Sequence, residues 1–152
     1  PLPPVAAHAS LTYSNEGRLL VFKVGGDAAL PAPTIRDRSI PERDIKGIDT
    51  SSIARGEIAY NENCAVCHGF LVRSGGAIPD LRRMSDETIA IWDQIVIDGL
   101  WSANGMAGFG DVLTRDQSGD LLNYVLARAE EDRLVAVGEK DMPQMTWLTG
   151  GD

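Results

Sequence analysis

The sequence predicts a mainly α-helical domain of three to five short helices, preceded by a strand-and-linker extension. Three observations carry this. Beyond Asp49, apolar residues recur at helical spacing in three separate stretches. Each stretch opens at a good capping residue, and Gly-rich loops divide them. The chain has 152 residues, enough for one ordinary domain with attachments. Apolar residues make up 43% of it but aromatics only 6%, so a bulky bound group would help to fill the core.

Taken in order, residues 1–9 are rich in Pro and Ala and read as extended. Leu11 to Tyr13, the polar turn Ser14 to Gly17, and Arg18 to Val24 give a short hairpin signal. Two strands alone are marginal in water, and no further strand follows to complete a sheet. Residues 25–50 mix Gly, Pro and charge without periodicity and read as a linker or a strap lying on a surface. Ser51 or Ser52 is the expected cap of a first helix, with Ile53, Gly56 and Tyr60 on one face. A second helix is expected from Ser85 to Gly99, with Ile89, Trp92, Ile95 and Val96 as its stripe. After the Gly-rich loop 104–110, Thr114 and Gln117 form a capping-box pattern. They open a helix with Leu121, Leu122, Val125, Leu126 and Ala129 as its apolar face. Residues 130–152 are charged and then Pro- and Gly-containing, with Met142, Met145, Trp147 and Leu148 suggesting a docked tail.

Twenty-two carboxylates against 14 Lys and Arg argue against nucleic acid or an anionic membrane surface as partner. No apolar run approaches the length of a membrane span. The start Pro-Leu-Pro-Pro carries neither initiator Met nor signal peptide, so the chain reads as a piece of something longer, and export stays open.

The chemistry concentrates at Cys64, Cys67 and His68, a C-x-x-C-H motif. Such a pair of cysteines reads as a redox dithiol, half of a zinc site, or a c-type haem attachment. In the last, the two thiols form thioethers with the haem vinyl groups and the adjacent imidazole meets the iron. Zinc wants further Cys or His ligands, and His8 is the only other candidate. A thioredoxin-like dithiol follows a strand, whereas here a helix leads in. Haem is therefore the favoured reading. His68 then ligates iron on one side, and Met106, in its Gly-rich loop 38 residues on, is the favoured ligand on the other. Met84 follows too soon, Met142 and Met145 lie in the tail, and any Met is more ordinarily core filler.

Ser52 to Ala129 resembles the class I cytochrome c fold, in which a few short helices surround one haem. Gly56 and Tyr60 resemble that family's contact between first and last helix, here expected around Leu121 to Val125. Ile78, Pro79, Asp80 and Leu81 resemble its proline segment, which implies that the Pro79 carbonyl accepts a hydrogen bond from the ring of His68. Gly99, Leu100, Trp101, Gly105, Met106 and Phe109, with Arg18 to Gly26 and Ala28 to Pro31, narrow the resemblance to the cytochrome domain of quinohaemoprotein alcohol dehydrogenases. That resemblance spans roughly residues 17–129 and would explain a hairpin without a sheet. It implies residues 1–30 as the end of a β-propeller, 31–50 as linker, 51–129 as the cytochrome and 130–152 as a tail of unassigned role. Trp101 and Phe109, with Leu100 and Trp92, are candidates for packing on the haem faces. Arg82 or Arg83 is a candidate partner for a haem propionate, since a guanidinium fork matches a carboxylate.

The resemblance further implies a periplasmic electron-transfer domain with one covalent haem c. It would take electrons from reduced pyrroloquinoline quinone (PQQ), which with its Ca²⁺ belongs to a propeller this chain lacks. The electrons would pass to a blue copper protein, another cytochrome or the respiratory chain. This segment has no substrate site of its own. Competing readings are a free-standing small cytochrome c, a cytochrome subunit of another oxidoreductase, a ligand-sensing haem module with an open distal face, and a non-haem binding module.

Overall fold

In the computed structural model the structure describes residues 19, 21–29, 37, 39–74 and 78–138. Among these residues five α-helices and three 3-10 turns form, and no strand. The helices are α1 (Thr50–Asn63), α2 (Ala65–His68), α3 (Asp86–Ala90), α4 (Trp92–Val96) and α5 (Arg115–Ala136). The 3-10 turns cover Phe70–Val72, Leu81–Arg83 and Ser102–Asn104.

The first strand and turn of the expected hairpin lie outside the described residues. Leu19 and residues 21–24, from its second strand, form no ladder, and Leu19, Val21, Phe22 and Val24 stand exposed. A lone strand has no partner for its backbone N–H and C=O groups, so the pattern alone does not make one. Ahead of α1, one described residue reaches across the fold. Arg43 donates to the Met84 carbonyl and to the Asp86 carboxylate, stapling the segment before α1 to the start of α3.

The core is the crossing of α1 and α5. Tyr60, Leu121 and Val125 are fully buried there, with Ala59 and Tyr124 beside them. The face of Gly56 and Tyr60 meets the last helix as the resemblance implied. A Cβ on Gly56 would sit 2.0 Å from the Asp120 carbonyl oxygen, so only glycine lets the two backbones cross this closely. The rings of Tyr60 and Tyr124 lie 5.4 Å apart, and Asp120 takes Ser52 Oγ and a two-pronged Arg55 at the same crossing.

Three local expectations are corrected. The cap of α1 is Asp49, which accepts from the Ser51 amide at 3.1 Å, rather than Ser51 or Ser52. Ser52 is instead buried and spent on Asp120. The single helix expected from Ser85 is two, broken at Ile91 (φ −108°, ψ 18°). β-Branched Thr88, Ile89 and Ile91 crowd a helical turn, and the break lets Trp92 reach the core and donate to the Ser118 carbonyl. The last helix continues past Ala129 to Ala136. Glu130–Arg133 and Arg128–Glu131 pairs support that extension, and its buried face continues as Arg128 and Asp132 instead of apolar residues. The caps at Ser85 and Thr114 form as expected, the latter a complete capping box with Gln117.

Candidate functional site

Helix α1 ends at Asn63, and the Cys64 amide donates back to the Tyr60 carbonyl at 2.8 Å. The single turn α2 follows, with the Cys67 and His68 amides both directed at the Cys64 carbonyl (3.1 and 2.9 Å). One turn thus carries Cys64, Cys67 and His68 together, and both thiols are free. Gly69 then turns the chain at φ +81°, where a Cβ would sit 2.1 Å from the Arg73 carbonyl oxygen. The Tyr60 hydroxyl donates to the Gly69 carbonyl at 2.8 Å. Leu71 (φ 56°) and Val72 (φ 63°) continue in left-handed geometry, which costs non-glycine residues about 1 kcal/mol or more each. Complete burial of Val72 in the core holds this strained loop in place.

His68 is buried, with its Nδ1 3.3 Å from the Pro79 carbonyl oxygen. A carbonyl only accepts, so this contact calls for the proton on Nδ1 and leaves the Nε2 lone pair free for a metal. Burial lowers the pKa of His68, outweighing the opposing pull of the Pro79 carbonyl and the Asp80 charge, so the imidazole is neutral near pH 7. Burial, with a smaller contribution from Cys67, pushes the Cys64 thiol up to about 11. A redox dithiol needs the opposite shift, towards thiolate. Among the described residues no three His, Cys, Asp or Glu side chains converge on a metal, so Cys64, Cys67 and His68 do not form most of a zinc site. Two cysteine thiols on one turn beside an imidazole with a free lone pair are a donor set that fits covalent haem c.

The other expected site residues divide. Met106 and Phe109 are half-buried and pack against the core; the Met106 amide donates to the Trp101 carbonyl (3.3 Å) and the Phe109 amide to the Val96 carbonyl (2.7 Å). Trp101 is 38% exposed and Leu100 52%, leaving apolar surface on the loop that carries Met106. Met84 and Trp92 are ordinary core. Met142 and Met145 lie outside the described residues.

The structure places Arg82, the candidate propionate partner, inside the protein. It is completely buried, and all three of its guanidinium nitrogens bind protein carboxylates: Nε and Nη2 to Asp80, Nη1 to Asp132. Arg83 also pairs with Asp80. Asp132 in turn receives a two-pronged Arg73 and one prong of Arg128. Sequence reading missed this network, although Leu121, Val125, Arg128 and Asp132 follow the i, i+4, i+7, i+11 spacing of one helix face.

Helical packing around a C-x-x-C-H turn, a neutral buried His and a core-packed Met loop define the class I cytochrome c fold. Residues 51–125 match the sequence model of the family described as cytochrome c oxidase, cbb3-type, subunit III. The chain is thus similar to c-type cytochrome domains, a likeness that implies electron transfer and covalent haem c. More particularly, it is homologous to a segment of the quinohaemoprotein alcohol dehydrogenases. It is 38% identical over 120 residues to quinohaemoprotein alcohol dehydrogenase ADH IIB of Pseudomonas putida, covering 78% of this chain and 17% of that protein. It is 34% identical over 120 residues to 1-butanol dehydrogenase (cytochrome c) of Thauera butanivorans, covering 77% and 17%. The solved structure of quinohaemoprotein alcohol dehydrogenase ADHIIG from Pseudomonas putida HK5 superposes with a TM-score of 0.59 at 34% identity, over 75% of this chain and 16% of that one. The chain therefore spans about a sixth of the length of these relatives. No described helix is long and apolar enough to cross a membrane.

Proposed function

We propose that this domain is the electron outlet of a PQQ-dependent alcohol dehydrogenase. The observation that carries the reading is the single turn bearing Cys64, Cys67 and a neutral, carbonyl-oriented His68, in a chain homologous to quinohaemoprotein dehydrogenases. Haem c, when bound, supplies reversible one-electron storage. Cys64 and Cys67 would hold it through thioethers, His68 would ligate the iron through Nε2, and the Pro79 carbonyl would orient the imidazole and raise its donor strength. Met106 would be the second protein ligand to the iron, and Trp101 and Phe109 would pack beside the haem. No residue of this segment acts as nucleophile or general base.

The electron source is reduced PQQ, held with its Ca²⁺ in a preceding β-propeller of which residues 1–30 are the end; residues 31–50 link the two parts. The acceptor is a soluble blue copper protein, a cytochrome or the respiratory chain, and the acidic surface suits a basic partner. Such a protein is exported and works in the periplasm. Residues 130–152 form the C-terminal tail, of which the described part is helical as far as Ala136.

Visible spectra of the exported protein test the reading. Sharp c-type bands on dithionite reduction, a far-red Met–iron band when oxidised, and loss of that band in Met106→Ala are expected. A correctly matured but colourless protein refutes it. An unchanged spectrum in Met106→Ala refutes Met106 as ligand and favours the ligand-sensing alternative.

A further inference from the structure

Resting on the haem reading above, we propose that Asp132 is a positioning residue for the iron-ligating His68, tying the two chain segments that flank it to one point on α5. His68 is held from two sides. On one side the left-handed loop Gly69–Val72 leads into Arg73, whose Nε and Nη2 bind the Asp132 carboxylate at 3.0 and 2.6 Å. On the other, the Pro79 carbonyl faces His68 Nδ1. The next residue, Asp80, takes Nε and Nη2 of Arg82 at 2.9 and 2.7 Å, and Arg82 Nη1 reaches Asp132 at 2.8 Å. Both arms therefore end on one carboxylate.

The burial of this arrangement makes it stiff. Arg73, Arg82 and Asp132 side chains are 6%, 1% and 3% exposed, so water cannot substitute for a lost partner. Planar guanidinium forks also fix orientation as well as distance, as an ammonium would not. Asp132 and Arg128 lie on the end of α5 beyond residues 51–125, the part matched by the family model. Burial alone would raise the pKa of Asp132, but Arg73, Arg82 and Arg128 hold it below the usual carboxylate value, keeping the anchor charged.

The consequence is electronic. An imidazole whose N–H is firmly held by an acceptor is a stronger donor and favours oxidised iron. Loosening the Pro79 arm, or removing a buried negative charge, therefore shifts the haem towards its reduced form. The test is a spectroelectrochemical titration of the exported holoprotein and its variants, with haem content per chain measured alongside. Asp132→Asn should carry its haem yet shift the reduced-to-oxidised ratio at fixed potential about tenfold towards reduced, which is about 59 mV for one electron. Arg82→Lys keeps the charge but not the fork, and should shift it in the same direction by about threefold. Asp120→Asn removes a carboxylate that binds Arg55 and Ser52 elsewhere on α5 and should leave the ratio at the wild-type value. A loaded Asp132→Asn with the wild-type ratio overturns the proposal, as does an equal shift in Asp120→Asn. If Asp132→Asn fails to load haem, Arg82→Lys decides by the same criterion. A wild-type protein without covalent haem instead sinks the underlying reading, and is told apart by its missing colour.

Discussion

Replacing Gly56 by Ala tests the helix crossing on which the domain is built. The added Cβ would lie 2.0 Å from the Asp120 carbonyl oxygen, 2.6 Å from its carbon and 2.9 Å from Tyr124 Cβ. The nearest two are backbone atoms, which cannot swing aside as a side chain can. To restore an ordinary contact of 3.4 Å, α1 and α5 must part by about 1.4 Å at this point. A radial gap of that order forfeits at least a quarter to a half of each affected dispersion contact. The contacts at stake include Tyr60, Leu121 and Val125, all fully buried. Overpacking of a well-filled core costs roughly 1–3 kcal/mol, and a rigid backbone clash belongs at the upper end. Alanine's better helix propensity returns at most about 1 kcal/mol. The net loss is roughly 2 kcal/mol, which for a domain of this size lowers Tm by about 8–16 °C. Thermal unfolding of the holoprotein followed by far-UV circular dichroism measures it. Gly119→Ala provides the contrast. It lies on the same α5 with nothing within 4 Å of its Cβ position, and should stabilise by about 0.4–1 kcal/mol. Equal melting temperatures for wild type and Gly56→Ala would refute the close crossing, and with it the argument for glycine at this site.

Tyr60→Phe removes the hydroxyl that donates to the Gly69 carbonyl and should lower stability by about 1–2 kcal/mol in chemical unfolding, since the freed carbonyl is partly buried. Thr114→Ala removes one half of the capping box and should cost about 1 kcal/mol in the same assay; a value near zero would mean the helix start is held by packing alone. The pKa of Asp132 is depressed below its ordinary 3.8, so its charge contributes stability that is fully present above pH 3.8 and is lost as pH falls through the lower folded value. Acid titration of unfolding free energy should therefore fall less steeply below pH 4 in Asp132→Asn than in wild type, and parallel curves would contradict the buried pairing.

What sequence made legible is the part of the fold written in apolar spacing and in short-range chemistry. The C-x-x-C-H turn is local and needs no tertiary information. Thr114 and Gln117 sit three residues apart and cap by geometry alone. Gly56 and Tyr60 share a helix face, and the missing Cβ announces a close neighbour. The illegible features depend on partners far away in the chain. Asp132 reads as one more charge in a charged tail until three arginines, two of them 50 or more residues earlier, enclose it. Arg82 matched a generic carboxylate partner, but spacing could not say that the carboxylates are the protein's own. Spacing placed Trp92 on the buried stripe, but the break at Ile91 is a change of backbone that apolar spacing does not register.

The staple at Arg43 changes how this domain can move relative to whatever precedes it. Among the described residues, Arg43 on Met84 and Asp86 holds the chain ahead of Asp49 at the cap of α1. The five intervening residues, six Cα steps when extended, would have added about 20 Å of reach. Pinning them takes away that slack and makes the domain swing about a pivot on its own flank. Any encounter the domain makes is then drawn from a narrower set of orientations than an unpinned segment would give. Cutting the staple with Arg43→Ala would lengthen the leash without touching the site it carries.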